Sequence, residues 1–128
     1  MTLRAIQPAG APPALATYSP AIDTGSLVFL AGQIGIDPAT GELVEGIEAQ
    51  VERVLLNMKA VLDAAGLTIA DVAKTTCFLS DLANFDAFNA VYARHVVDPP
   101  PARSTFAVKA LPKGALVEIE AVAVRSTV

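Results

Sequence analysis

The segment Leu116-Val117-Glu118-Ile119-Glu120-Ala121-Val122-Ala123-Val124 governs how this chain is read. Its β-branched side chains favour a strand. Side chains alternate across a strand, so Glu118 and Glu120 share one face and interrupt an otherwise apolar segment. Upstream stands Pro99-Pro100-Pro101-Ala102-Arg103-Ser104-Thr105-Phe106. Each proline fixes φ and lacks a ladder donor, so the run ends any preceding helix and stiffens the approach. Arg103 is the one charge between Asp98 and Lys109, and it opens a strand read over 104–108. Its planar guanidinium suits a carboxylate or a phosphate. The turn Leu111-Pro112-Lys113-Gly114 lies between the two strands and predicts an antiparallel hairpin that brings Arg103 near the carboxylates. On this reading Arg103 holds an acidic substrate and a glutamate works beside it. A structural Arg–Glu ion pair carries equal weight.

Moving outward, Leu3–Ile6 is an edge strand at most, followed by a proline- and alanine-rich loop and then Tyr18 before Ser19-Pro20. The tyrosine reads first as a core filler with a wet tip. Asp23–Ser26 is turn chemistry within a hairpin. The apolar run Leu27–Ala31 fits a strand buried on both faces, ending at Gly32, where a missing Cβ permits close backbone approach. Residues 47–65 form the clearest helix, with Ile47, Val51, Val54, Leu55, Met58, Val61, Leu62 and Ala65 on one stripe. Asn57 lies off it, and Gly46 and Gly66 bracket the helix. Ala73–Leu79 reads as a strand holding Cys77 as a small hydrophobe. A second helix over 85–96 buries Phe85, Phe88, Tyr92 and Val96, and Asn89 borders that face. There its amide either satisfies a backbone group or points at a ligand. His95 sits in the last turn, where a cation suits the helix dipole.

Composition sets the outer bounds. At 128 residues the chain is expected to form one domain, 1–128, and at 53% hydrophobic and 17% charged it is not disordered. So few charges imply apolar surface buried against other copies. A net charge of −4 without a Lys/Arg cluster argues against an obligate nucleic-acid partner. The lone cysteine excludes an internal disulfide, and the lone histidine excludes zinc sites built from several His or Cys. Arg4 is not followed by an apolar core of about 7–15 residues, so no leader is expected. No apolar stretch approaches the ~18 residues of a membrane span. The expected location is the cytoplasm.

Taken together, the motifs resemble the reactive intermediate deaminase family (RidA, also called YjgF). The resemblance rests on Gly32-Gln33-Ile34, Ala64-Ala65-Gly66-Leu67, Lys74-Thr75-Thr76, Phe88-Asn89 with Tyr92, Pro101-Ala102-Arg103-Ser104, Leu111-Pro112-Lys113 and the segment Glu118–Arg125. They occur in the family's order from about residue 18 to 125. The resemblance implies a chorismate-mutase-like α+β fold, a mixed sheet backed by two helices, and a barrel-like homotrimer with ligand clefts between subunits. It also implies hydrolysis of enamines and imines, such as 2-aminoacrylate and 2-iminopropionate, to 2-keto acids and ammonia, with no metal or organic cofactor.

Carried over residue by residue, the resemblance makes Arg103 the grip on the substrate carboxylate and Glu118 the group beside the attacking water. Tyr18 and Asn89 line the cleft, and Gly32 supplies a backbone contact. Ala31 stands where well-studied deaminases have serine, and Thr105 where they often have cysteine. Both differences bear on substrate range rather than on reaction type. Three alternatives are a keto-acid-binding module without turnover, a ribonuclease and a chaperone-like role.

Overall fold

The strand that carries Glu118 lies inside the sheet, and its alternation explains why. In the computed structural model, which describes residues 2–126, Val117, Ile119, Ala121 and Ala123 are buried, while Glu118 and Glu120 point to the opposite face. The strands are β1 (Arg4–Ile6), β2 (Ala21–Asp23), β3 (Leu27–Gln33), β4 (Val72–Leu79), β5 (Ala102–Ala107) and β6 (Val117–Val124). They form one sheet in the order β1-β2-β3-β6-β4-β5. Only the β4–β5 pairing is parallel, so the sheet is mixed.

Two helices pack over the buried face, α1 (Ile47–Ala64) and α2 (Phe85–His95). The apolar stripe of α1 sits against β3 and β6, with Val51, Val54, Met58, Val61 and Leu62 fully buried. Gly46 precedes α1 at φ 88° and Gly66 follows it at φ 75°, a backbone region that glycine enters without a Cβ penalty. Phe88, Val91 and Tyr92 of α2 join the same core.

Three expectations need correction. The strands bearing Arg103 and Glu118 are not a hairpin, because β4 lies between them: Thr75 pairs with Arg103 on one side and Phe78 with Glu118 on the other. The chain reaches β5 from β4 through α2, and a helical crossover returns the strand parallel. The mostly exposed β5 takes the edge, while β6, with one wholly apolar face, takes the interior. The connecting loop crosses the end of β4, held by Val108 N–H on the Leu79 carbonyl at 2.9 Å and Ser80 N–H on the Leu116 carbonyl at 3.1 Å. Second, Leu27–Ala31 is buried on one face only: Val28 and Leu30 are covered by helix, whereas Phe29 is 46% exposed. Third, Asn57 is fully buried, its amide donating to the carbonyls of Ile34 at 3.4 Å and Ile36 at 2.9 Å.

Candidate active site

Two faces of the sheet divide the residues singled out above. Arg103 pairs with Thr75, whose side chain is buried under the helices, so the guanidinium rises on the helix side at the sheet edge. Its Nη1 donates to Asn89 Oδ1 at 2.8 Å. Its Cζ lies 4.9 Å from the ring centroid of Tyr92, 5.4 Å from Phe88 and 5.7 Å from Phe85. Aromatic faces attract a guanidinium without consuming its N–H donors. The cradle is itself fixed, since the Tyr92 hydroxyl hydrogen-bonds Thr75 Oγ1 at 2.8 Å, and burial pushes the phenol's pKa up. A groove of about 330 Å³ runs past Arg103, Asn89 and Tyr92 toward Val96, Pro100 and Pro101. Arg103 belongs to no ion pair among the described residues. Thr105, two residues on and opposite Cys77, keeps a buried Oγ1 beside the Cys77 thiol. Cys77 is buried, and desolvation pushes its thiol to about 11, which fits the inert reading.

The second group lies on the helix-free face. Glu118 is half-buried there, packed over Gly32 so closely that a Cβ on Gly32 would fall on its Oε2. The register of β3 against β6 shifts between Leu30 and Gln33, an irregularity that re-aims the backbone at Gly32. Burial, and then the charge of Glu120, raise the Glu118 pKa above the ordinary carboxylate value. Tyr18 and Ala31 line a shallow depression with Ser19, Phe29, Glu120 and Val122. Tyr18 is 46% exposed and accepts a hydrogen bond from Leu15 N–H at 3.2 Å, so it is no core filler.

Arg103, Asn89 and Thr105 therefore stand together, as do Gly32 and Glu118, and Tyr18 and Ala31 lie next to Glu120. One chain does not bring the arginine to the glutamate. The aromatic cradle was legible only as a helix stripe, because what the stripe supports becomes visible once β5 lies alongside it. His95 is bridged to Glu52 through Nε2 at 2.6 Å and contacts Lys59 Nζ through Nδ1 at 2.8 Å, away from both groups. Among the described residues no three His, Cys, Asp or Glu side chains gather as metal ligands, and no helix is long and apolar enough to cross a membrane.

The family model described as Endoribonuclease L-PSP matches residues 9–125. The chain belongs to this family, which includes the RidA proteins. A Myxococcus xanthus member, Protein DfrA, is 50% identical over 127 residues, covering 97% of each chain. The Salmonella typhimurium 2-iminobutanoate/2-iminopropanoate deaminase is 44% identical over 118 residues, covering 90% of this chain and 92% of its own. The crystal structure of Escherichia coli TdcF with bound serine superposes with a TM-score of 0.91 at 41% identity, covering 96% of this chain and 99% of that one. The RidA-type architecture expected from the motifs, two helices on a mixed sheet, is the one observed.

Proposed function

We propose that this protein is a deaminase that hydrolyses reactive enamine and imine intermediates of the 2-aminoacrylate/2-iminopropionate type to 2-keto acids and ammonia. The observation that carries the reading is Arg103: a guanidinium held by one amide and three ring faces, beside an open groove, with no carboxylate partner among the described residues. Such a group binds a substrate carboxylate through a bidentate fork. Two relatives support the choice, one named for 2-imino acids and the other crystallised with an amino acid.

Because Arg103 and Glu118 leave opposite faces of the sheet, the cleft is built between copies. One copy presents Arg103, Asn89 and Thr105, and the next presents Gly32, Glu118, Tyr18 and Ala31. A homotrimer closes such a head-to-tail contact. The apolar helix-free face, with Phe29 46%, Phe106 44% and Val124 43% exposed, supplies surface for that contact.

In the reaction Arg103 fixes the carboxylate and so places the imine carbon. With the imine nitrogen protonated, Glu118 takes a proton from water as its oxygen bonds to that carbon, and the C=N electrons pass to nitrogen to leave a neutral amine. The carbinolamine then collapses: Glu118 returns the proton to nitrogen, the C–N electrons leave with ammonia, and the hydroxyl O–H electrons close the C=O bond of the keto acid as that proton passes to Glu118. The substrate carries its own electrophile, so no cofactor takes part in these steps. A ribonuclease reading finds no support in a net charge of −4.

The test generates imino acids with an amino-acid oxidase, traps them with semicarbazide, and follows loss of the trapped product. The protein is expected to lower that product, and Arg103→Ala to reduce the effect about 10²-fold or more while Tm and assembly are unchanged. Full activity in Arg103→Ala would remove the carboxylate clamp. No effect of the wild-type protein on any imino acid would leave a keto-acid-binding module, to be examined by calorimetry.

A further inference from the structure

We infer that Gln50 is a positioning residue for the Glu118–Gly32 pair, its buried amide joining the entry of β6 to the loop that leaves β3. The inference rests on the role proposed above for Glu118. Gln50 lies in the first turns of α1 and is 3% exposed. Its Oε1 accepts the N–H of Leu116 at 2.8 Å, and its Nε2 donates to the carbonyl of Val44 at 3.0 Å. Leu116 precedes Glu118 by two residues, and its carbonyl is held in turn by Ser80 N–H at 3.1 Å. On the other side, Val44 N–H donates to the Gly35 carbonyl at 2.9 Å and closes the loop that begins just after Gly32. Gly35 lies so close to α1 that an added Cβ would stand 2.9 Å from the Cα of Gln50.

One side chain thus bonds the chain two residues before Glu118 directly and reaches the loop three residues past Gly32 through Val44, whose N–H holds the Gly35 carbonyl. The buried amide of Asn57, two helical turns on, donates to the loop carbonyls of Ile34 and Ile36 and accepts from Arg53 Nε within α1 at 3.1 Å, with no bond to β6 among them. A carboxylate that must meet a water within a fraction of an ångström is sensitive to slippage at Leu116, because displacement by about 1 Å can cost about 10²-fold in rate.

The experiment compares wild type, Gln50→Met, Gln50→Asn and Gln50→Glu. Each is read by steady-state kinetics on generated 2-iminopropionate and by a carbon-detected NMR titration of the Glu118 carboxyl in the absence of substrate. Methionine keeps the volume and loses both hydrogen bonds. Asparagine is one methylene too short to span both partners, and it provides the reading if the methionine variant does not fold. The expected result is a kcat lower by roughly 10- to 100-fold with KM within about 2-fold, since the Arg103 half is untouched. The Glu118 titration is expected to move down toward the ordinary carboxylate value as its packing over Gly32 loosens and exposes the carboxyl. Gln50→Glu, kept protonated by its burial, restores most of both. Lower Tm with wild-type kcat and wild-type Glu118 titration would reduce Gln50 to a structural amide and overturn the inference. If the wild-type protein fails to hydrolyse imines while the titration still shifts in Gln50→Met, the deaminase reading falls and the positioning role stands.

Discussion

At Gly32 the absent Cβ is the space that the Glu118 carboxyl occupies. Gly32→Ala is therefore expected to fold, since the displaced atoms are the far end of a flexible side chain, and to lose about 10²-fold in imine hydrolysis. Wild-type turnover with alanine at that position would show that the contact does not matter. Glu118 itself carries a pKa prediction. Burial, and then Glu120, raise its folded value, so activity that needs the carboxylate climbs with pH through that raised value. The sign for stability is opposite. The folded chain holds this proton more tightly than the unfolded one, so stability is lost as pH rises through the folded value. Glu118→Gln is expected to lower kcat by ~10²–10⁴-fold, abolish the acid limb of the pH–rate profile, and raise Tm slightly at pH 7. A lower Tm would contradict the burial argument.

Among the elements, β1, β2, β6 and the end of α1 meet at Asp23. Its Oδ2 accepts from Arg4 and from Arg125, each at 2.8 Å, its Oδ1 accepts Gly25 N–H at 2.8 Å, and Arg125 also donates to the Ala65 carbonyl at 2.8 Å. Arg4 first, then the Gly25 amide and Arg125, hold the carboxyl down at about 2, below its ordinary 3.8. A depressed carboxyl stabilises above its unfolded value and loses that contribution as pH falls through the folded one. Thermal melts from pH 6 to pH 2 are expected to fall more steeply below pH 4 for wild type than for Asp23→Asn. Parallel curves would mean that the node contributes nothing through ionisation. The same scale explains why Arg103 is ready for a ligand: α2 supplies the amide and all three rings from one stripe, and β4 anchors Tyr92 through Thr75.

For the whole molecule, the proposal requires two chains for one cleft, which mixing experiments can read. Arg103→Ala and Glu118→Gln are each expected to be nearly inactive alone. Unfolded together and reassembled at equal ratio, they should recover about a quarter of wild-type activity, because each cleft draws its arginine from one copy and its glutamate from the next. Activity no greater than that of the two separate variants would place both residues in a cleft of one chain and remove the assembly from the proposal.

Much of the architecture was present in the chain as written. The period of α1, the glycines at its ends, the alternation of β6 and the shared face of Glu118 and Glu120 are local properties, set by backbone geometry and side-chain spacing. Arg103, Asn89 and Thr105 stand together because neighbouring elements hold them. Strand order was not local. A turn between two strands looks like a hairpin whether or not a third strand lies between them, and only burial competition placed β4 there. Gln50 escaped notice, and Asn57 was placed off the buried stripe, for a related reason: a lone amide on a helix carries no sign of the loop that will cover it. The tertiary structure alone decided that Arg103 and Glu118 leave opposite faces of one sheet. Two long-range pairings across β4 set that geometry, and side-chain spacing along the chain does not encode them.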